Sequence, residues 1–289
     1  MGEEGPGMGT KVSSMEIVHD FGTGSDAIVL DPDVQGYPFR LVARLDVKGE
    51  HLIKAIQLEG LRKVGPPAVF AKRYYEAGID EVLIIDVVAS LYQRDHLLDV
   101  LRSVSKEVFV PITVGGGVRN ISDFEILLQN GADKVAINSA SLENPNLLSE
   151  CAHRFGSQAV VLSVEAKRLP EGGWEALFNC GRERSGRNVQ EWIAQAVKLG
   201  VGEILVTSVD CEGTRSGFDC ELMRMVASQV RVPVIASGGM GSVQHLLDLG
   251  STSHISGVAM ADVLHYDRLT LSEIRDAAAL IGLNVRNVI

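Results

Sequence analysis

Gly78-Ile79-Asp80-Glu81-Val82-Leu83-Ile84-Ile85-Asp86 reads as the same stretch as Gly200-Val201-Gly202-Glu203-Ile204-Leu205-Val206-Thr207-Ser208, 200 − 78 = 122 residues later. Outward from it, Val114-Gly115-Gly116-Gly117 returns as Ser237-Gly238-Gly239-Met240-Gly241, with Gly116 and Gly239 offset by 239 − 116 = 123. Leu45-Asp46-Val47-Lys48 returns as Val164-Glu165-Ala166-Lys167, offset by 165 − 46 = 119. Three matches in one order at nearly one spacing mark a duplicated half-unit. A repeat of strand and helix segments of this length implies an α/β fold, a (β/α)8 TIM barrel made of two half-barrels. Such barrels keep their chemistry at the C-terminal ends of the strands, where Asp46, Glu165 and both glycine clusters fall.

The chain supplies the elements. Short apolar, β-branched runs predict strands over Phe39–Asp46, Glu81–Val87, Val108–Val114, Lys134–Asn138, Ala159–Glu165, Glu203–Ser208, Val232–Ser237 and Ile255–Met260. Amphipathic stretches predict helices over Pro67–Ala77, Leu97–Lys106, Ser122–Asn130, Pro145–Phe155, Asn188–Leu199, Cys220–Ala227, Val243–Leu249 and Ser272–Ile281. Strict alternation gives a closed parallel barrel over 37–289. No GxGxxG follows the first strand, so the dinucleotide-binding alternative lacks its fingerprint. Residues 1–36 are rich in Gly, Ser, Asp and Glu, have no sustained apolar period, and lack the basic start and apolar centre of a signal peptide. They read as a flexible N-terminal extension.

Composition narrows the function. A net charge of −10 argues against a nucleic-acid binder, yet backbone donors still bind phosphate inside an acidic protein. No apolar run approaches membrane-spanning length. Cys151, Cys180, Cys211 and Cys220 show neither CxxC nor metal spacing, which suits reduced thiols in a cytoplasmic enzyme. The seven histidines show no HExxH pattern, so neither a metal nor another cofactor is expected.

Two carboxylates at opposite strand ends, Asp46 and Glu165, can divide general-acid and general-base work if their surroundings separate their pKa values. Gly116 and Gly117 after the third strand, and Gly238 and Gly239 after the seventh, let backbone N–H groups approach an anion. Asn138-Ser139 and Ala261-Asp262 complete two pockets, which implies a substrate with a phosphate at each end. The loop Ser208–Asp219, with Glu212, Gly213 and Thr214, has the carboxylate, hydroxyl and glycine content of a substrate-holding loop. Arg40, Glu81, Lys134 and Glu203 stand at strand starts, where four alternating charges could form either a ring across the barrel bottom or a solvated rim.

These motifs, together with Gly131–Asn138, Phe155–Val160 and Thr207–Asp219, make the chain resemble the cyclase subunit of imidazole glycerol phosphate synthase, from about Phe39 to about Arg286. The resemblance implies a half-barrel duplication that receives ammonia from a glutaminase partner docked as a heterodimer on the barrel bottom. Ammonia then meets a two-phosphate ribulosyl aminoimidazole at the mouth, giving imidazole glycerol phosphate and an aminoimidazole carboxamide ribotide. It further implies that Arg40, Glu81, Lys134 and Glu203 are the gate and that Asp46 is a catalytic aspartate. By the same resemblance Lys54 holds substrate, and Gly117, Asn138 and Ser139 bind the first phosphate.

The departures from the family pattern lie at the mouth. Glu165 stands for an aspartate, Glu212 for an aspartate, Ala55 for a glycine, and Asp262 for a serine donor to the second phosphate. A carboxylate facing phosphate repels it and offers no donor unless protonated. Two readings stay open here: the histidine-pathway cyclase, and a paralogue that delivers ammonia to amidate a nucleotide sugar or glycan precursor in surface polysaccharide synthesis.

Overall fold

The computed structural model describes residues 38–88, 95–250 and 255–288; the N-terminal stretch 1–36 lies outside them. In chain order the strands are β1 (Arg40–Lys48), β2 (His51–Ile56), β3 (Glu59–Gly65), β4 (Glu81–Asp86), β5 (Ile112–Gly115), β6 (Lys134–Ile137), β7 (Val160–Arg168), β8 (Trp174–Phe178), β9 (Glu183–Asn188), β10 (Glu203–Ser208), β11 (Val234–Ser237) and β12 (Ile255–Met260). The helices are α1 (Pro67–Glu76), α2 (Asp95–Ser105), α3 (Ile121–Gln129), α4 (Ser139–Glu143), α5 (Asn146–Phe155), α6 (Val189–Lys198), α7 (Cys220–Gln229), α8 (Val243–Gly250), α9 (Asp262–His265) and α10 (Leu271–Leu280).

Eight strands close in the order β10-β11-β12-β1-β4-β5-β6-β7, and β7 pairs back to β10. Every neighbour in this ring is parallel. Closure removes the exposed edges that an open sheet must protect. β1 and β7 are four places apart in either direction, so Asp46 and Glu165 face each other across the mouth, as the repeat implied.

Side-chain alternation splits each strand between two cores. On β1, Leu41, Ala43, Leu45 and Val47 pack outward under the helices. Val42 points inward with Leu83, Ile85, Ala136, Val161, Leu205, Ile235 and Ala259. The same inward parity carries Arg40, Arg44 and Asp46. Helix starts follow their caps: Asn188 accepts from the N–H groups of Gln190 and Glu191, Asp219 from Leu222, and Thr270 with Glu273 forms a capping box, each worth about 1 kcal/mol.

The short helices α4 and α9 were not expected, nor were two hairpins: β2–β3, hung on β1, and β8–β9, hung on β7. The hairpins are themselves a repeat. Gln57 and Leu58 turn the first at φ 49° and 64°, and Asn179 and Cys180 turn the second at φ 49° and 57°, with 179 − 57 = 122. Their outer strands β3 and β9 are largely exposed and carry no apolar alternation to read. The third barrel strand also begins later than expected, at Ile112, because Pro111 has no N–H for the ladder and Phe109 is 77% exposed.

Candidate active site

Asp46 and Glu165 are both buried, at 3% and 5% exposure, but each is held differently. Asp46 Oδ1 accepts from Arg44 Nε at 2.8 Å. The same guanidinium reaches across the lumen, where Nη1 donates to Thr207 Oγ1 at 2.8 Å and to Ser237 Oγ at 3.0 Å. Glu165 has neutral partners: Asn138 Nδ2 donates to its Oε2 at 2.8 Å and the Gly181 N–H also donates. Burial pushes its pKa up to about 7, against the pull of Arg44 and of these donors, with the Asp46 charge adding to the rise. Neither carboxylate pairs with the lysine two residues on, and Lys167 instead pairs with Asp210.

Asn138, expected at the first phosphate, here bonds within the protein. Its amide hydrogens go to Glu165 and to the Leu177 carbonyl. Ser139 remains on the wall, its Oγ accepting from the Asn179 N–H at 2.9 Å. With Gly116 and Gly117 these residues line a cavity of about 380 Å3 that extends to Glu165. Gly116 sits at φ 111°, and a Cβ there would stand 2.5 Å from the Asp86 carbonyl oxygen, so the close turn requires glycine.

The second pocket is almost closed, at about 20 Å3. Arg44, Lys54, Glu212, Gly213, Gly238, Gly239, Ala261 and Asp262 all border it. Gly239, at φ 103°, lies so close to Gly217 that a Cβ would meet its carbonyl oxygen at 1.9 Å. Lys54 is buried on β2 and ion-paired with Glu212. Asp262 opens α9 and its Oδ1 accepts from Arg268 Nε at 2.7 Å, with Arg215 Nε 4.0 Å away. The carboxylate expected to repel a phosphate is thus countered by an arginine. Thr214 turns into its own loop, donating to the Cys211 carbonyl at 2.7 Å, and is not on the pocket wall.

At the other end of the barrel the four strand-start charges meet. Arg40 Nη1 is 2.8 Å from Glu81 Oε2 and its Nη2 pairs with Glu203; Lys134 Nζ is 2.6 Å from Glu81 Oε1 and also pairs with Glu203. Glu81 and Glu203 are buried at 4% and 5% exposure. A solvated rim would leave them in water, so these residues form a closed ring over the lumen. Among the described residues no cluster suits a metal ion, and no helix is long and apolar enough to cross a membrane.

Sequence reading overlooked Arg44. Its signal was present: an arginine inside the apolar run Leu41-Val42-Ala43-Arg44-Leu45, at the inward parity set by Asp46. Asp86, which ends β4 and borders the first cavity, was likewise missed as a site residue.

Known proteins match this sequence. A family model described as histidine biosynthesis protein matches residues 40–270. The imidazole glycerol phosphate synthase subunit HisF of Streptococcus sanguinis (strain SK36) is 45% identical over 247 residues, covering 86% of this chain and 98% of the relative. Its namesake from Legionella pneumophila is 55% identical over 205 residues, covering 71% and 97%. That of Mycobacteroides abscessus is 43% identical over 253 residues, covering 86% and 98%. These names point to the cyclase and not to sugar amidation. With the half-barrel repeat, the opposed carboxylates and the charged ring already in place, the matches mean that the chain belongs to the histidine biosynthesis protein family, in its imidazole glycerol phosphate synthase HisF branch.

Proposed function

We propose that the chain is the ammonia-using cyclase of imidazole glycerol phosphate synthase, with Asp46 and Glu165 as its acid–base pair. The observation that carries this is the unlike setting of two opposed buried carboxylates. Asp46 is ion-paired with Arg44 and suits the base. Glu165, pushed up to about 7, holds a proton part of the time at neutral pH and suits the acid. Ammonia attack on the ribulosyl substrate needs a proton delivered to one atom and taken from another. Ring closure and elimination then use the same pair with protons returned.

The substrate lies between the glycine pockets. Its first phosphate enters the open cavity at Gly116, Gly117 and Ser139. Its second displaces partners that now hold one another, taking Lys54 from Glu212 and meeting the N–H groups of Gly238 and Gly239. Ammonia arrives from a glutaminase subunit on the barrel bottom, through the ring of Arg40, Glu81, Lys134 and Glu203, and the complex works in the cytoplasm.

The test is turnover of the two-phosphate ribulosyl aminoimidazole with ammonium salt and no partner present, which bypasses the glutaminase. Imidazole glycerol phosphate should form at an enzymatic rate. Its absence with a folded chain would sink the reading.

A further inference from the structure

We propose that Arg44 is a positioning residue, which fixes one oxygen of Asp46 from within the lumen and couples that carboxylate electrostatically to Glu165. Among the described residues no other arginine is buried to its 3%. Burying a guanidinium is costly unless its hydrogens find acceptors, and here three of the five do so, those of Nε and Nη1, at 2.8–3.0 Å. The planar fork suits this work, because Nε and Nη1 point in fixed directions. Nη1 is anchored on β10 and β11, and Nε then presents a hydrogen to Asp46 Oδ1. Oδ2 has no protein hydrogen-bond partner among the described residues. One carboxylate oxygen is tethered while the other is left for substrate.

The duplicated position gives an internal control. Ser163 precedes Glu165 by two residues, as Arg44 precedes Asp46, with 163 − 44 = 119. Only the first half-barrel carries the cation, yet its charge acts on both carboxylates. The groups acting most strongly on Glu165 are Arg44 and Asp46 from β1, Asn138 after β6, and Cys180 and the Gly181 N–H from the β8–β9 turn, while Asp86, Arg119 and Glu143 line the cavity that it borders. Arg44 is the one cation among the strongest of these influences, and it also faces Glu212, itself paired with Lys54. Without Arg44, burial and the Asp46 charge would push Glu165 further up.

The kinetic arm of the test rests on the cyclase reading; the titration arm does not. The carboxyl of Glu165 is followed by carbon NMR in the full chain, assigned by its loss in Glu165→Gln, for wild type, Arg44→Met and Arg44→Lys. In Arg44→Met the midpoint should rise by about one pH unit or more, and in Arg44→Lys it should stay near the wild-type value. In ammonium-driven turnover, Arg44→Met should lower kcat by roughly 10²-fold with KM little changed, and Arg44→Lys should keep only part of the rate. Thr207→Val, which removes an anchor and leaves the charge, should lower kcat without moving the midpoint. An unmoved midpoint in Arg44→Met, or full kcat there, overturns the proposal. If Arg44→Met does not fold, full kcat in both Arg44→Lys and Thr207→Val overturns it. If wild type itself does not turn over, the cyclase reading falls and the midpoint alone decides the coupling.

Discussion

The glycine pocket above β5 and β6 encloses about 380 Å3, while its counterpart above β11 and β12 encloses about 20 Å3. Both are made by the same backbone device, with Gly116 and Gly239 at φ 111° and 103°. The difference lies in side chains. The second pocket holds Arg44, Lys54 and Glu212 against one another, with Asp262 tied to Arg268 at its edge; the first holds neutral Asn138 and Ser139 beside Glu165. Duplication thus preserved the glycine turns and left the charges free to diverge. The two opposed carboxylates follow the same division, Asp46 bound by a cation and Glu165 by amides.

The most severe test of that division removes a carboxylate from each half. Asp46→Asn should lower ammonium-driven kcat by about 10²–10⁴-fold, and it should also destabilise the fold by roughly 3–5 kcal/mol, because Arg44 is left as a buried charge without its partner. Glu165→Gln should lose turnover too, yet leaves no buried ion unpaired. Equal losses of stability in urea unfolding would break the distinction between a cation-held and an amide-held carboxylate.

Glu165 sharpens this through pH. Its folded pKa of about 7 lies above the ordinary 4.5. Below pH 4.5 the folded and unfolded chains both hold the proton, and the group contributes no difference. As pH rises from there through 7, the unfolded chain gives up the proton first and stability falls; above 7 the full cost of the buried charge is present. Glu165→Gln should therefore match wild-type stability near pH 4 and exceed it by up to about 3 kcal/mol at pH 8. A gap independent of pH in parallel urea titrations would mean that burial does not govern this carboxyl.

The legible part of this molecule was its repeat. Offsets near 120 residues placed eight barrel strands, both glycine turns and the opposed carboxylates, because these depend on local pattern and chain order. The hairpins stayed hidden, since β3 and β9 are polar and exposed and their pairing is set by the parent strands. Arg44 stayed hidden for another reason. A single charge within an apolar strand looks like an interruption until parity places it beside Asp46, and its anchors Thr207 and Ser237 lie 163 and 193 residues away. The partner of Asp262 stayed hidden because Arg268 lies six residues on, past the end of α9.

The barrel bottom offers a symmetric contrast to the mouth. Glu81 and Glu203 are repeat equivalents, and each pairs with both Arg40 and Lys134. Alanine at either should therefore have one effect: glutamine-driven turnover with the glutaminase present should fall at least about tenfold more than ammonium-driven turnover. Lys134→Ala should do the same. Equal losses with both nitrogen sources would remove the gate, and unequal behaviour of Glu81→Ala and Glu203→Ala would show that divergence reached this end as well.

The smallest effect belongs to the rim of the closed pocket, where it bears directly on why the two pockets differ. Asp262 is adjacent to Ala261 on the wall and its carboxylate is held by Arg268. If that pairing is what makes an anionic residue tolerable beside an incoming phosphate, removing the arginine should hurt more than removing the acid. Arg268→Ala leaves the carboxylate with only the distant Arg215, 4.0 Å away, and should raise KM for the two-phosphate substrate several-fold, since an exposed charge pair is worth about 1 kcal/mol or less. Asp262→Ser supplies a hydroxyl donor and releases Arg268 towards the phosphate, so KM should fall by a similar factor. The double variant should lie between them. A KM that ignores both substitutions would place the second phosphate away from α9, and the closed pocket would then be a packed remnant of the repeat.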